Sequence, residues 1–365
     1  MKFTCGKEFL LKEISIAQEI ISSKNAILIL SNIYLEAVNN KLIIKSKDMK
    51  VNFQTEVPVN VVEEGATTVY GDKFFAIISS FPYDEIEFSQ KDNIIVVKPA
   101  TLKKPEYKLK CLASEKFPEI PVSSSPFFEM PIKDFKEMIQ QSVLAVSDDE
   151  SRYFMNGVYM EKSDGKIYMV ATDGRRLAYT EKPGKNIKDF PGIIILPKIL
   201  NIILKRSGDE GSISISVSDK MIFINFASYK FSSVLIEGTF PNYKKVIPES
   251  QSFFLSVKRD EMLSALRRVS LMVEKKSHRI FLAISPGKMS VSSEESEIGT
   301  VEDEIPCKYD GDELTIALNY RYLEDPFKVM TEDEIKISFT SVMKAITIEP
   351  VPKKDFFHIV MPMQS

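Results

Sequence analysis

The chain has 365 residues, 44% of them hydrophobic and 27% charged, ordinary proportions for folded protein, and the length suits two or three domains. A net charge of -3 excludes a uniformly basic nucleic-acid binder, so any contact with DNA has to come from a local patch. Cys5, Cys111 and Cys307 are scattered and the only histidines are His278 and His358, which argues against a disulfide framework, a zinc site or a histidine-based triad.

The N-terminus alternates charged and apolar residues, unlike a signal peptide. The apolar runs Ala26–Leu30 and Ile193–Leu196 are too short to span a bilayer, so the expectation is a soluble cytoplasmic protein with no membrane partner. From the start, apolar residues at three-to-four spacing predict a helix over Lys7–Lys24. Strands are predicted at Ala26–Leu30, Ile33–Val38 and Lys41–Ser46, a short helix at Asp72–Ser80, and strands at Glu85–Ser89, Ile94–Lys98 and Tyr107–Leu112. A Ser-rich linker over 123–126 closes this segment.

The same order then recurs. A helix over Lys133–Val146 precedes strands at Gly157–Glu161, Lys166–Val170 and Leu177–Lys182. A helix over Pro197–Arg206 precedes strands at Ser212–Val217, Met221–Phe226 and Tyr229–Leu235. A third round has a helix at Lys258–Val273, strands at Arg279–Ser285 and Lys288–Ser292, and a helix near Asn319–Met330 that Pro326 should shorten or distort. Strands at Glu334–Phe339, Lys344–Glu349 and Phe357–Met363 complete it.

A basic residue stands at the start of each helix: Lys7, Lys73, Lys133, Lys198, Lys258 and Arg321, separated by 66, 60, 65, 60 and 63 residues. The chain therefore reads as three repeats of about 120 residues, each of two half-repeats that lay a helix on antiparallel sheet, an α+β class. The repeats divide the chain at 1–124, 125–248 and 249–365.

A cation at a helix N-terminus opposes the macrodipole, at a cost of a few tenths to about 1 kcal/mol. Over the six helical segments there are 15 Lys and Arg against 10 Asp and Glu, so the helices are positive in a chain that is negative overall. Lys198, Lys205 and Arg206 stand in a helix with no acid of its own. A solvated face is the ordinary reading of such charges. Repetition at matched positions favours a surface that meets phosphates without reading bases.

The stretch Ala171–Ala178, ATDGRRLA, reads as an Asp-Gly hairpin carrying two adjacent arginines. It is either a solvated tip or a site. The corresponding hairpins at Asn39-Asn40 and Pro286-Gly287 lack the motif, so its role is specific to the middle repeat. Two further features are FPNYKKVIP over 240–248 and the apolar ending Val360-Met361-Pro362-Met363. Asp148, Asp149 and Asp173 with Arg175 and Arg176 offer an alternative, a metal-assisted phosphoryl-transfer site, but no supporting motif accompanies them. A scaffold that does not meet DNA is a third reading.

With Arg152-Tyr153-Phe154-Met155-Asn156-Gly157, these motifs resemble the bacterial sliding clamp family, the β subunit of DNA polymerase III, over the full length. The resemblance implies a three-domain clamp fold and a head-to-tail homodimeric ring. Helices line a hole threaded by double-stranded DNA, and an ATP-driven clamp loader opens the ring. It implies no catalytic residue, cofactor or metal. The helix-start cations, with Lys24, Tyr153, Lys205 and Arg206, would face DNA, while the acids Asp148, Asp149 and Glu150 beside Tyr153 should repel phosphate.

The resemblance further implies a pocket for a Gln-, Leu- and Phe-rich motif carried by the polymerase III α subunit, the loader and repair proteins. Its walls would be Met155, Thr172, Gly174, Arg175, Arg176, Leu177, Pro241, Lys245, Val246, Val360, Met361, Pro362 and Met363. Tyr107 and Leu109 would meet Leu271 and Met272 across the ring interface. Arg175 stands where the family often has histidine, Lys245 where arginine is common, and Ala345 where the best-known members carry serine. The Gln364-Ser365 ending is more polar than usual.

Overall fold

Six α-helices recur along the described residues, each following a strand with at most one residue between. They are α1 (Lys7–Ile20), α2 (Gly71–Ser80), α3 (Ile132–Ser142), α4 (Pro197–Arg206), α5 (Arg259–Val269) and α6 (Tyr320–Val329), starting 64, 61, 65, 62 and 61 residues apart. This is a computed structural model, and it describes residues 1–21, 27–184, 187–218, 220–297 and 299–364.

The half-repeat is thus strand, helix, then further strands, and sequence periodicity finds the helix but not the strand before it. Lys2–Gly6, Gly65–Tyr70, Phe128–Pro131, Phe190–Ile195, Phe253–Lys258 and Leu314–Asn319 all escape it. They run into their helices with at most one residue between, so no loop separates the two periodicities. The helix caps Gly6, Tyr70 and Lys258 make no side-chain capping bond, whereas Asn319 accepts from the Arg321 N–H. An acid in the first turn of α1, α2, α3 and α5 offsets the cation there; α4 and α6 have none.

Several expected boundaries need correction. The helix expected over Lys7–Lys24 stops at Ile20, and the residues of the expected strand Ala26–Leu30 that are described lead into a 3-10 turn, Leu28–Ser31. Residues 22–26, Lys24 among them, lie outside the described residues. The helix expected to 146 gives way to a 3-10 turn at Val143–Ala145, and that expected to 273 stops at Val269. Pro326 neither ends nor shortens α6, which runs through it. The final strand stops at Val360, leaving 361–364 as an irregular tail.

Sheet pairing crosses the sequence repeats, and the chain packs as two compact units, Met1–Ile132 with Asn201–Leu235, and Lys133–Leu200 with Ile236–Ser365. In the first unit thirteen strands are hydrogen-bonded in series, and Val51–Pro58 pairs with Tyr229–Val234 so that Phe53 opposes Phe231. Phe3 stacks on Phe88 at 4.6 Å, and α1 buries Leu10, Ile14, Ala17 and Ile20. Burying a leucine, isoleucine or phenylalanine side chain contributes about 1.5–3 kcal/mol, and the single methyl of Ala17 less.

In the second unit an eight-stranded sheet joins Arg176–Pro183 to Phe356–Val360, and a four-stranded sheet ends at Glu302–Pro306. Met262, Leu266, Leu323, Phe327 and Phe339 form part of one core beneath α5 and α6. No helix among the described residues is long and apolar enough to cross a membrane.

Candidate functional site

The turn between strands Lys166–Thr172 and Arg176–Pro183 is closed from within. Asp173 Oδ1 accepts the backbone N–H groups of Arg175 at 2.8 Å and Arg176 at 3.0 Å. The Thr172 hydroxyl donates to the Arg176 carbonyl at 2.6 Å and accepts the Gly174 N–H at 3.1 Å. Gly174 has φ 88°, a left-handed backbone that favours glycine, and an added Cβ would lie 3.0 Å from Arg152 Nη1, the flexible end of a side chain.

The C-terminal strand lies beside this turn: Arg176 is opposite Val360 and Leu177 is opposite Ile359. Beyond the strand, the Met361 N–H donates to the Arg175 carbonyl at 2.9 Å and the Met363 N–H to the Ala317 carbonyl at 2.8 Å. The tail is therefore fixed at two alternate residues. Leu177, Ile359, Phe240 and Tyr243 share one buried apolar cluster, against which Ile247 and Ala345 also pack. FPNYKKVIP, ATDGRRLA and the C-terminal strand thus meet over a common floor.

That floor is held by polar pins. The Tyr243 hydroxyl donates to Glu161 at 2.7 Å, and burial followed by that carboxylate pushes the tyrosine well above its usual range. Tyr159 stacks on Phe240 at 4.8 Å and Tyr179 on Phe357 at 4.6 Å. Above the floor, Val246 is 53% and Met361 44% exposed, unlike the buried Met155, Leu177 and Val360. Pro241, Pro362 and Met363 are half-buried, while Gly174, Arg175 and Lys245 are exposed. The result is an apolar surface with a cationic rim, formed on ordered backbone.

Three family models match in order: DNA polymerase III beta subunit N-terminal domain over residues 1–121, central domain over 129–242, and C-terminal domain over 244–364. The chain belongs to the DNA polymerase III beta subunit family. A beta sliding clamp from Treponema pallidum is 46% identical over 371 residues, all of both chains. The fold of a sliding clamp from Pseudomonas aeruginosa superposes with a TM-score of 0.94 at 24% identity, covering 100% of each chain. One from Bacillus subtilis gives 0.93 at 24% identity, covering 100% of this chain and 99% of the other. The three-domain clamp fold is therefore the fold of this beta-subunit relative, although its strands pack as two units.

Within this clamp fold the expected DNA-facing residues sit in different environments. Lys73, Lys133, Lys258 and Arg321 are exposed near their helix starts, and Lys198 is half-buried in the first turn of α4. Lys7 donates to the Phe81 carbonyl. Lys258 lies 3.4 Å from Glu261, and Arg321 lies over the Tyr320 ring. The acid that α4 lacks comes from α1: Lys205 pairs with Glu19 at 2.8 Å and Arg206 pairs with the same carboxylate. Burial works against the charged Glu19, but those two cations outweigh it and hold its carboxyl below the usual range. The cationic excess expected of α4 is thereby partly neutralised.

Tyr153 is 54% exposed on the 3-10 turn Glu150–Met155. Asp149 caps that turn, accepting from Ser151 N at 3.0 Å and Ser151 Oγ at 2.6 Å, while its other oxygen meets Arg152 at 2.9 Å. Those hydrogen bonds, led by the Ser151 hydroxyl, hold the Asp149 carboxyl below its usual range. Asp149 and Asp173 thus each hold their own turn through hydrogen bonds.

Of the residues expected at a ring interface, Tyr107 and Leu109 lie on a strand with one open edge. Tyr107–Leu112 pairs with Ile94–Pro99 through residues 107–110, but with Gly65–Tyr70 only through Cys111 and Leu112. Glu302–Pro306 is the outermost strand of its sheet. Leu271, just beyond α5, is 79% exposed, while Met272 is half-buried. Sequence reasoning missed Asp325, Tyr322 and Ala317 near the tail and turn, because nothing local marks residues some 140 positions from ATDGRRLA as its neighbours.

Proposed function

We propose that the chain is a DNA sliding clamp, a ring-shaped processivity factor with no chemistry of its own. The observation that carries this reading is the 46% identity, covering 100% of each chain, to a beta sliding clamp. Two copies pair head to tail in the cytoplasm, with Tyr107 and Leu109 of one meeting Leu271 and Met272 of the next. The open backbone along Tyr107–Lys110 and the outermost position of Glu302–Pro306 support such a closure, since an unpaired ladder is a template for another strand. Domain boundaries near 124 and 248 give each copy three clamp domains.

Double-stranded DNA passes through the ring, and Lys7, Lys24, Lys73, Lys133, Tyr153, Lys198, Lys205, Arg206, Lys258 and Arg321 form its phosphate-facing set. Contacts of this kind are sequence-independent and salt-dependent, which suits sliding, while closure of the ring supplies retention. The clamp loader places it on DNA, and the polymerase III α subunit and other partners dock by short motifs. The turn Thr172–Arg176, the 241–246 segment and the tail form the pocket. An apolar motif side chain buried there contributes about 1.5–3 kcal/mol.

Primer extension on a circular template tests the reading. With loader and polymerase present, the protein should lengthen the product made per polymerase binding event; unchanged product length contradicts it.

A further inference from the structure

Arg176 faces away from a purely peptide-binding role. Its Nε lies 3.1 Å from Asp173 Oδ2 and its Nη1 2.6 Å from Asp325 Oδ2, and the guanidinium sits over the Tyr322 ring, 4.6 Å from the centroid. Only 13% of the side chain is exposed. Asp325 and Tyr322 belong to α6, so one cation ties the Thr172–Arg176 turn to a helix of the third repeat. A planar guanidinium can hold two carboxylates and an aromatic face together, which an ammonium point charge cannot reproduce.

The consequences run to the tail. Asp173 orients Arg176 with one oxygen and holds the turn's backbone N–H groups with the other. The Arg175 carbonyl on that turn receives the Met361 N–H. We infer that Arg176 is a positioning residue: it fixes the turn against α6, and thereby the spacing between the turn and the tail that frames the pocket. Arg175, the exposed neighbour, is the rim cation presented to a bound peptide. This inference rests on the peptide-pocket reading, and it makes Asp325 a determinant of affinity through Arg176.

The test uses the full-length protein and a fluorescent synthetic peptide bearing a Gln-, Leu- and Phe-rich motif, at a temperature where every variant is folded. Asp325→Ala should weaken binding about tenfold, as should Arg176→Ala. The double variant should be no weaker than either, because both remove one link. Asp325→Glu should restore affinity. Hydrogen exchange at the Arg175 and Arg176 amides should quicken in Asp325→Ala. Full affinity in Asp325→Ala beside a large loss in Arg176→Ala would make Arg176 a direct contact and overturn the inference, as would unchanged exchange at the turn. Faster exchange in Asp325→Ala with no peptide binding even by the unaltered protein would support the positioning role and overturn the pocket reading instead.

Discussion

His358 and Gln141 share a 2.9 Å hydrogen bond inside the second unit, and the Gln141 amide donates onward to the Val329 carbonyl at 3.1 Å. The imidazole is buried in the last strand, opposite Ala178 and two residues before Val360. Burial, then the charge of Arg176, pushes its pKa down to about 3. An unfolded histidine titrates near 6.5, so between these values the unfolded chain binds more protons. The contribution of His358 is complete above about pH 6.5 and declines on acidification, at roughly 1.4 kcal/mol per pH unit within that window. Unfolding free energies of His358→Gln and the unaltered protein should therefore converge or cross as pH falls from 7 to 5. A pH-independent difference contradicts the assignment.

Glu13 in the first unit behaves with the opposite sign. Its carboxylate accepts from Tyr229 at 3.0 Å while burial raises its pKa, against the lowering effects of Tyr229, Lys12 and Thr55. The folded state therefore binds this proton more tightly. That contribution is full below the ordinary glutamate value near 4.5 and is lost as pH rises through the raised folded value. Glu13→Gln keeps an acceptor for Tyr229 and removes the buried charge. It should equal or exceed the unaltered protein in melting temperature at pH 7, with that advantage shrinking toward pH 4.5. A variant less stable at pH 7 than at pH 5, relative to the unaltered protein, contradicts this sign.

Leu271, with 79% of its surface exposed, contributes little to folding of its own chain. Leu271→Asp should change the unfolding free energy of the single chain by no more than about 0.5 kcal/mol, as surface changes do. Self-association should weaken at least tenfold, about 1.4 kcal/mol, as read by sedimentation. Unchanged association places the ring contact elsewhere.

Removal of residues 361–365 strips two backbone anchors and the exposed Met361 from the proposed pocket. Peptide binding should fall at least tenfold, about 1.4 kcal/mol, while dimerisation is retained. Unaltered peptide affinity refutes the location of the pocket.

The fold was legible where periodicity was long or turns were punctuated. α4 falls at Pro197–Arg206, where proline marks its start, and the strand Arg279–Ser285 runs up to the Pro286-Gly287 turn. Strands such as Gly65–Tyr70 and Leu314–Asn319 were not, since each passes directly into its helix with no intervening loop. At the site, ATDGRRLA and the Val-Met-Pro-Met tail could be singled out from their chemistry, and the structure makes them adjacent through the Met361-to-Arg175 hydrogen bond. The Arg176–Asp325 pair could not, because long-range ion pairing leaves no local pattern.

Topological retention separates a closed clamp from a protein that merely binds phosphates. Loaded on a nicked circular plasmid, the protein should remain bound through gel filtration at a salt concentration that abolishes simple phosphate binding, and a single restriction cut should release it within minutes. Release at the same rate from circular and linearised DNA would contradict the clamp.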